Sequence, residues 1–256
     1  MKLKITAIAL LLAASPGVLA NQVNAVASFS VLGDIVSRVG GEHVRVTTLV
    51  GPDGDPHTYE PTPKDSQALS QADIVFTSGL GLEGWMARLV NASGTKNAPV
   101  IASQGVATRK MNEDGETITD PHAWNSAKNG AIYARNVMNA LIKADPADKA
   151  YFQQRGEAYI QQLEKLDSWA KATFAAIAPE KRKVLTSHDA FGYFGAEYGV
   201  TFLAPVGFST EAQASASGAK SGGELYPEAL SKPSGPAPDY LSAFRHNVET
   251  MAASMK

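Results

Sequence analysis

Residues 23–50 read VNAVASFSVLGDIVSRVGGEHVRVTTLV, and two hydrophobic periods follow one another within them. Residues 23–29 are an apolar strand-like run, residues 31–39 have the spacing of an amphipathic helix, and residues 44–50 return to a strand rich in β-branched side chains. Outward from this unit the alternation continues, with a helix expected over 63–69, a strand over 72–78, a helix over 82–91 and a strand over 100–103. Such alternation predicts an α/β fold with a mostly parallel sheet covered by helices.

Near Asn125 the texture changes to two long helical patterns. Asp145-Pro146 followed by Asp148 has the chemistry of a helix start, and Phe152, Tyr159, Leu163, Leu166, Ala170, Phe174 and Ile177 then recur at helical spacing. A helix of that length would run roughly 45 to 50 Å, enough to bridge two lobes. Strand patterns resume at 183–186 and 201–205 with a helix between them, and a last helix is expected from about Pro238 to Met255. Residues 208–223, FSTEAQASASGAKSGG, are low in large apolar side chains and read as a loop.

The chain has 256 residues, 44% of them hydrophobic and 19% charged, with a formal charge of -2. That composition is globular and lacks the basic excess of a nucleic-acid surface. At the amino terminus Lys2 and Lys4 precede an apolar run over 5–14 and the small-residue end Val18-Leu19-Ala20, the pattern of a cleavable export signal covering residues 1–20. The run is about half the ~20 residues needed to span a bilayer. Cleavage would take 23 basic residues to 21 against 25 acidic ones, a charge of -4 with histidine neutral, which suits a protein that handles cations. With no cysteine in an exported chain, any metal site must use nitrogen and oxygen ligands.

Of the five histidines, three follow strands: His57 after the strand ending at Val50, His122 at the end of the loop leaving 100–103, and His188 directly after 183–187. The crevice beyond the carboxyl ends of parallel strands is where ligands bind in such sheets. His57 and His122 share the form Asp-Pro-His, in which proline stiffens the backbone that presents the imidazole. A single histidine of this kind is usually structural. Three at strand ends point to one shared site, whereas His43 and His246 fit no such pattern.

Three neutral imidazoles leave the 2+ charge of an ion uncompensated, so a carboxylate fourth ligand is expected, with Glu60, Asp189 and Glu228 as candidates. Glu60 has a second possible role, orienting the free ring nitrogen of His57. Glu228 follows a short strand-like stretch. Residues 110–120, KMNEDGETITD, carry Glu113, Asp114, Glu116 and Asp120 and are expected to be a solvated flexible loop rather than a metal-collecting one. A secreted zinc hydrolase could be built on three histidines and a water, but there is no His-Glu-x-x-His pair and a fourth carboxylate would close the shell. A surface adhesion protein finds no anchoring segment. The expectation is a binding protein, not an enzyme.

Several linked motifs then resemble one family, the cluster A-I solute-binding proteins of bacterial ABC transporters for zinc and manganese. They are residues 54–61 (GDPHTYEP), 72–75 (ADIV), 120–124 (DPHAW), 187–194 (SHDAFGYF) and 230–233 (LSKP), and the likeness runs over most of residues 23–255. The resemblance implies two α/β lobes joined by a long backbone helix, one metal in the cleft between them, and a monomeric periplasmic receptor that delivers its ion to a membrane permease. It also implies four ligands, with His57, His122 and His188 matching three. The fourth is usually an aspartate in Tyr-Ser-Asp-Ala-Leu-Ser, and here Tyr226-Pro227-Glu228-Ala229-Leu230-Ser231 puts Glu228 in its place. Three imidazoles and one carboxylate favour zinc, with manganese the alternative. Family members usually carry a further helix, strand, Asp-Pro-Arg turn and helix before that segment, so the second lobe is expected to be shortened near residue 217. The organisation expected is an export signal over 1–20, a first lobe over 21–144, a linking helix over 145–178 and a second lobe over 179–256.

Overall fold

A computed structural model describes residues 22–113, 115–203 and 222–255. The opening apolar run forms β1 (Val23–Phe29), and Ser30–Gly40 forms α1, whose buried stripe includes Leu32, Ile35, Val36 and Val39. β2 (Val44–Val50) then returns parallel to β1, with Val23 opposite Val44 and Phe29 opposite Val50. Helix α2 (Pro63–Gln71) starts on Thr62 and Asp65, which cap each other reciprocally. It leads into β3 (Ile74–Thr77), and α3 (Met86–Ser93) leads into β4 (Val100–Ile101). The four strands form one parallel sheet in the order β2-β1-β3-β4. Six of the seven β1 residues are buried, as befits a central strand covered on both faces.

These elements match the sequence reading in kind, with narrower limits. The strand expected over 72–78 covers four residues, and the helix expected from Leu82 begins at Met86, after Gly79, Leu80 and Gly81 all take positive φ. Residues 110–120 correct the reading more sharply. In place of a flexible loop they form an antiparallel hairpin, β5 (Lys110–Glu113) and β6 (Glu116–Thr119). Charge density hid two facts: Thr117, Ile118 and Thr119 favour a pleated strand, and Gly115 takes the φ of 87° that the turn requires. Asp114 lies outside the described residues.

Helix α4 (Ala127–Ala144) follows, and a single turn over Pro146–Asp148 separates it from α5 (Lys149–Ala175). The 27 residues of α5 span about 40 Å. Phe152, Tyr159, Ile160 and Leu163 of α5 belong to the larger apolar cluster under the four-stranded sheet. Leu166, Ala170 and Phe174 belong to a second cluster with Phe191, Phe194, Tyr198 and Val200. One helix thus supplies two cores. The second cluster lies with a two-stranded parallel sheet, β7 (Lys183–Leu185) and β8 (Thr201–Leu203), crossed by α6 (Gly192–Tyr198). The last helix, α7 (Tyr240–Ser254), also divides: Tyr240 and Ala243 join the first cluster, Phe244, Val248 and Met251 the second.

The expected export signal over 1–20 lies outside the described residues, as do residues 204–221, where most of the expected loop and the expected shortening near residue 217 fall. No described helix is long and apolar enough to cross a membrane. The strand-like stretch expected before Glu228 is not a strand, since residues 222–226 are irregular. Pro227 cannot donate to a ladder, and side chains from elsewhere hold this segment instead.

Phe174 is fully buried and touches Phe194 and Tyr198 edge-on or tilted, at ring-centroid distances of 5.6 and 6.4 Å. Phe174→Ala is expected to cost about 3–5 kcal/mol, read as a lowered urea midpoint, because the small second core has few atoms with which to fill the cavity.

Candidate metal centre

His57, His122, His188 and Glu228 come together, each offering one ligand atom, all within 4.8 Å of one another. The four side chains arrive from separated parts of the chain. Each is carried by an irregular segment, so each needs its own anchor.

His57 lies seven residues beyond the end of β2. The carboxylate of Asp55 accepts from the His57 backbone N–H and from the Thr58 hydroxyl, both at 2.8 Å. The indole of Trp85, buried under the sheet, donates to the Pro56 carbonyl at 2.8 Å. Proline therefore stiffens the segment and also presents its carbonyl as an anchor point.

His122 is the most deeply placed, at 1% exposure. Its Nδ1 lies 2.8 Å from Asp120 Oδ1, which also accepts from the His122 backbone N–H at 3.0 Å. A carboxylate can only accept, so Nδ1 carries hydrogen and Nε2 is left to face the other three groups. The second oxygen of Asp120 accepts from Arg109 at 2.9 Å, and the Asp120 backbone carbonyl accepts from the Tyr193 hydroxyl at 2.9 Å. Gly192 permits this approach: a Cβ there would lie 1.2 Å from the Arg109 guanidinium and 2.6 Å from the Asp120 carboxylate.

His188 lies three residues past β7, with its carbonyl accepting from the Thr186 hydroxyl at 3.0 Å, and its side chain is the most exposed of the four at 42%. Glu228 is held through its neighbours. The Pro227 carbonyl accepts from Trp124 Nε1 at 2.9 Å and from Asn125 Nδ2 at 3.1 Å. The Leu230 N–H donates to Ser30 at the start of α1, and the Leu230 carbonyl accepts from Asp53 N, both at 2.9 Å. Asn247 of α7 pairs both backbone groups of Tyr226.

The resulting distances are short and mutual. Glu228 Oε1 lies 3.1 Å from His122 Nε2 and 2.9 Å from His188 Nε2, Glu228 Oε2 lies 3.3 Å from His57 Nε2, and the Nε2 atoms of His57 and His122 are 3.1 Å apart. Bonds of ~2.0–2.1 Å at tetrahedral angles put neighbouring ligands roughly 3.3 Å apart, so the cluster is close to that size. Glu228 Oε2 is buried and has no hydrogen-bond partner. A buried carboxylate oxygen without a partner is costly unless a cation or proton faces it.

The titration properties follow from this crowding. Burial pushes the Glu228 carboxyl up, but the close imidazoles of His122, His188 and His57 outweigh it and hold the carboxyl far below the usual range. For His122, burial pushes down, while the bonds to Asp120 and Glu228 dominate and raise it to about 9. Glu228 raises His188 as well. The protonated forms of His122 and His188 are thus the ones favoured.

Of the other sequence candidates, Glu60 is exposed and makes no hydrogen bond to His57 among the described residues; the turn at Asp55 takes that backbone inward while the chain beyond Tyr59 runs out to solvent. Asp189 does not join the cluster either, and lines a separate cavity of about 400 Å³ with Arg109 and Phe191. His43 stacks on Tyr151 at 3.8 Å between ring centroids and pairs with Asp148, and His246 bonds the Glu224 carbonyl. Both serve packing. Sequence reasoning missed the Asp120 contact to the ring of His122, which an aspartate two residues before a crevice histidine could have signalled. Nothing local marks Trp124, Asn125 or Ser30, whose partners are distant in sequence.

Among curated proteins, the manganese ABC transporter substrate-binding lipoprotein PsaA of Streptococcus anginosus is 39% identical over 184 residues, 68% of this chain and 59% of that protein. The iron ABC transporter substrate-binding lipoprotein MtsA of Streptococcus pyogenes is 38% identical over 189 residues, 70% of this chain and 60% of that one. The chain thus spans about 60% of the length of these relatives. Among solved structures, the manganese-bound periplasmic metal-binding protein of Candidatus Liberibacter asiaticus superposes with a TM-score of 0.82 at 27% identity, over 92% of this chain and 100% of that one. The periplasmic zinc-binding protein TroA of Treponema pallidum does so with a TM-score of 0.81 at 26% identity, over 91% and 99%. The family model for the zinc-uptake complex component A, periplasmic (ZnuA), matches residues 25–221. The chain belongs to that family.

Proposed function

We propose that this chain is an exported receptor that binds one divalent transition-metal ion, zinc first among them, through His57, His122, His188 and Glu228 and delivers it to the membrane permease of an ABC importer. The observation that carries the reading is the convergence of three imidazole Nε2 atoms on the two oxygens of Glu228, whose buried Oε2 has no hydrogen-bond partner. Three imidazoles and one carboxylate match the ligand preferences of zinc, and among divalent first-row ions zinc outranks manganese at a given site. Manganese is the second reading, supported by the names of PsaA and of the Liberibacter protein. The reading places the receptor in the periplasm as a monomer, with residues 1–20 as its export signal. It takes residues 21–144 and 179–256 as two lobes joined by a helix over 145–178. A binding site rather than a hydrolytic centre is supported by the carboxylate, which occupies the position a catalytic water would need.

Metal capture on this reading is an exchange of protons for an ion. Asp120 holds the His122 ring with Nε2 inward, so a neutral His122 needs no reorientation to bind. Arg109 in turn holds Asp120. Glu228 stays ionised and supplies the negative charge.

Zinc titration of purified, chelator-treated protein is expected to saturate at one equivalent, and Glu228→Gln to weaken binding severely; zinc retained at full affinity by that variant would favour an open catalytic centre instead. Asp120→Asn is expected to lower zinc affinity about 10–100-fold with the ligands intact, measured by chelator competition.

Acidity provides a further check. The folded pKa of His122, raised to about 9 from an ordinary 6.5, means that its protonated form stabilises the metal-free protein fully below pH 6.5 and loses that stabilisation as pH rises through 9. Zinc must displace that proton. Apparent zinc affinity is therefore expected to climb between pH 6.5 and 9, and a flat profile there would contradict the assignment of His122 as a ligand.

A further inference from the structure

Asn125 is 5% exposed and sits three residues after His122, in the tight turn Ala123–Asn125. Its side-chain nitrogen donates to the Ala190 carbonyl at 3.0 Å and to the Pro227 carbonyl at 3.1 Å. Both partners are acceptors only, so the amide orientation is settled by the network, and both hydrogens of the nitrogen are used. The two carbonyls belong to the segments that carry His188 and Glu228. Ala190 lies two residues after His188, and its own N–H bonds back to the His188 carbonyl at 3.1 Å. Pro227 immediately precedes Glu228.

The base from which Asn125 reaches is itself fixed. Tyr240 of α7 donates to the Trp124 carbonyl, Tyr198 of α6 donates its hydroxyl proton away to Asp167 and accepts the Ala127 N–H at 3.0 Å, and the Ser126 side chain caps α4. Pro227 has a second anchor in Trp124 Nε1. For Ala190, Asn125 is the side-chain anchor among the described residues. An apolar residue of similar volume would satisfy burial at this position equally well, and a buried amide is tolerated only when its hydrogens are bonded.

We propose that Asn125 is a positioning residue of the metal centre, tying the His188 and Glu228 segments to the turn that follows His122 so that the His188 imidazole, the most exposed of the four groups, stays within reach of the ion. The inference rests on the receptor reading and deepens it. Loss of the amide would release His188 first, because Trp124 still holds Pro227. Asn125→Leu should therefore behave as a three-ligand site.

The test is a double-mutant cycle on full-length protein, with zinc affinity measured by chelator competition for wild type, Asn125→Leu, His188→Ala and the double variant. Asn97→Ala, which removes an amide bonded to the Ala72 and Asp73 carbonyls just before β3, serves as the control. Asn125→Leu is expected to weaken zinc binding about 10–100-fold. The double variant is expected to bind within about threefold of Asn125→Leu alone, since a ligand already lost cannot be lost again. The Asn97→Ala control should bind as wild type does. Urea midpoints with and without zinc separate positioning from general stability: the loss in Asn125→Leu should be larger in the zinc-loaded protein. Wild-type affinity in that variant, independent multiplying losses in the double variant, or equal losses of midpoint with and without zinc would each overturn the proposal. Asn125→Ala carries the same comparisons if the leucine variant fails to fold. A wild-type protein that binds neither zinc nor manganese overturns the receptor reading itself, which is a different outcome from a wild type that binds and a variant that is unchanged.

Discussion

Three imidazoles and one carboxylate must be held with their polar atoms within 4.8 Å of one another, and many of the long-range hydrogen bonds serve that constraint. None of the four segments is part of a helix or strand, and with no cysteine in the chain none is crosslinked. Side-chain donors and acceptors reaching across the fold supply the rigidity. Trp85 fixes the Pro56 carbonyl, Trp124 and Asn125 fix the Pro227 carbonyl, and Ser30 fixes the Leu230 amide. Each is a hydrogen bond from a buried or nearly buried group, where breaking one leaves a desolvated partner unsatisfied and is therefore costly.

The scaffold behind these anchors explains why two of the histidines are where they are. His57 follows β2 and His188 follows β7, each at the carboxyl end of a parallel strand, where the crossover geometry leaves a crevice. His122 arrives differently, from the end of the β5–β6 hairpin, and depends on Asp120, Arg109 and Tyr193 for its placement. Helices α5 and α7 each lend side chains to both apolar clusters, so the two cores share continuous rigid elements. A ligand shell of ~2.0 Å bonds needs such continuity, because a displacement of half an ångström already spoils it.

Electrostatically the centre sets one carboxylate against three imidazoles. The depressed Glu228 carboxyl keeps a negative charge in a buried place, and the raised His122 and His188 answer it with protons. On the proposed reading, an ion of 2+ charge would satisfy the same carboxylate and release those protons. Relatives of similar fold carry names that refer to manganese, iron and zinc.

The order of strands and helices over residues 23–101 was legible because apolar spacing is local, and the three histidines stood out by their place after strands. Asp-Pro-His at two of them announced stiffened backbone. The hairpin over 110–119 was misread, because strand propensity in Thr117, Ile118 and Thr119 competed with a dense run of charge. Among Glu60, Asp189 and Glu228, spacing alone could not choose, and the family resemblance pointed to the last. Only the tertiary structure brings Glu228 to His57, 171 positions away in the sequence, and gives Asp120, Trp124 and Asn125 their roles. The physical reason is range: periodicity and turn chemistry act over a few residues, whereas a ligand shell is closed by hydrogen bonds between segments that meet only when the cores have formed.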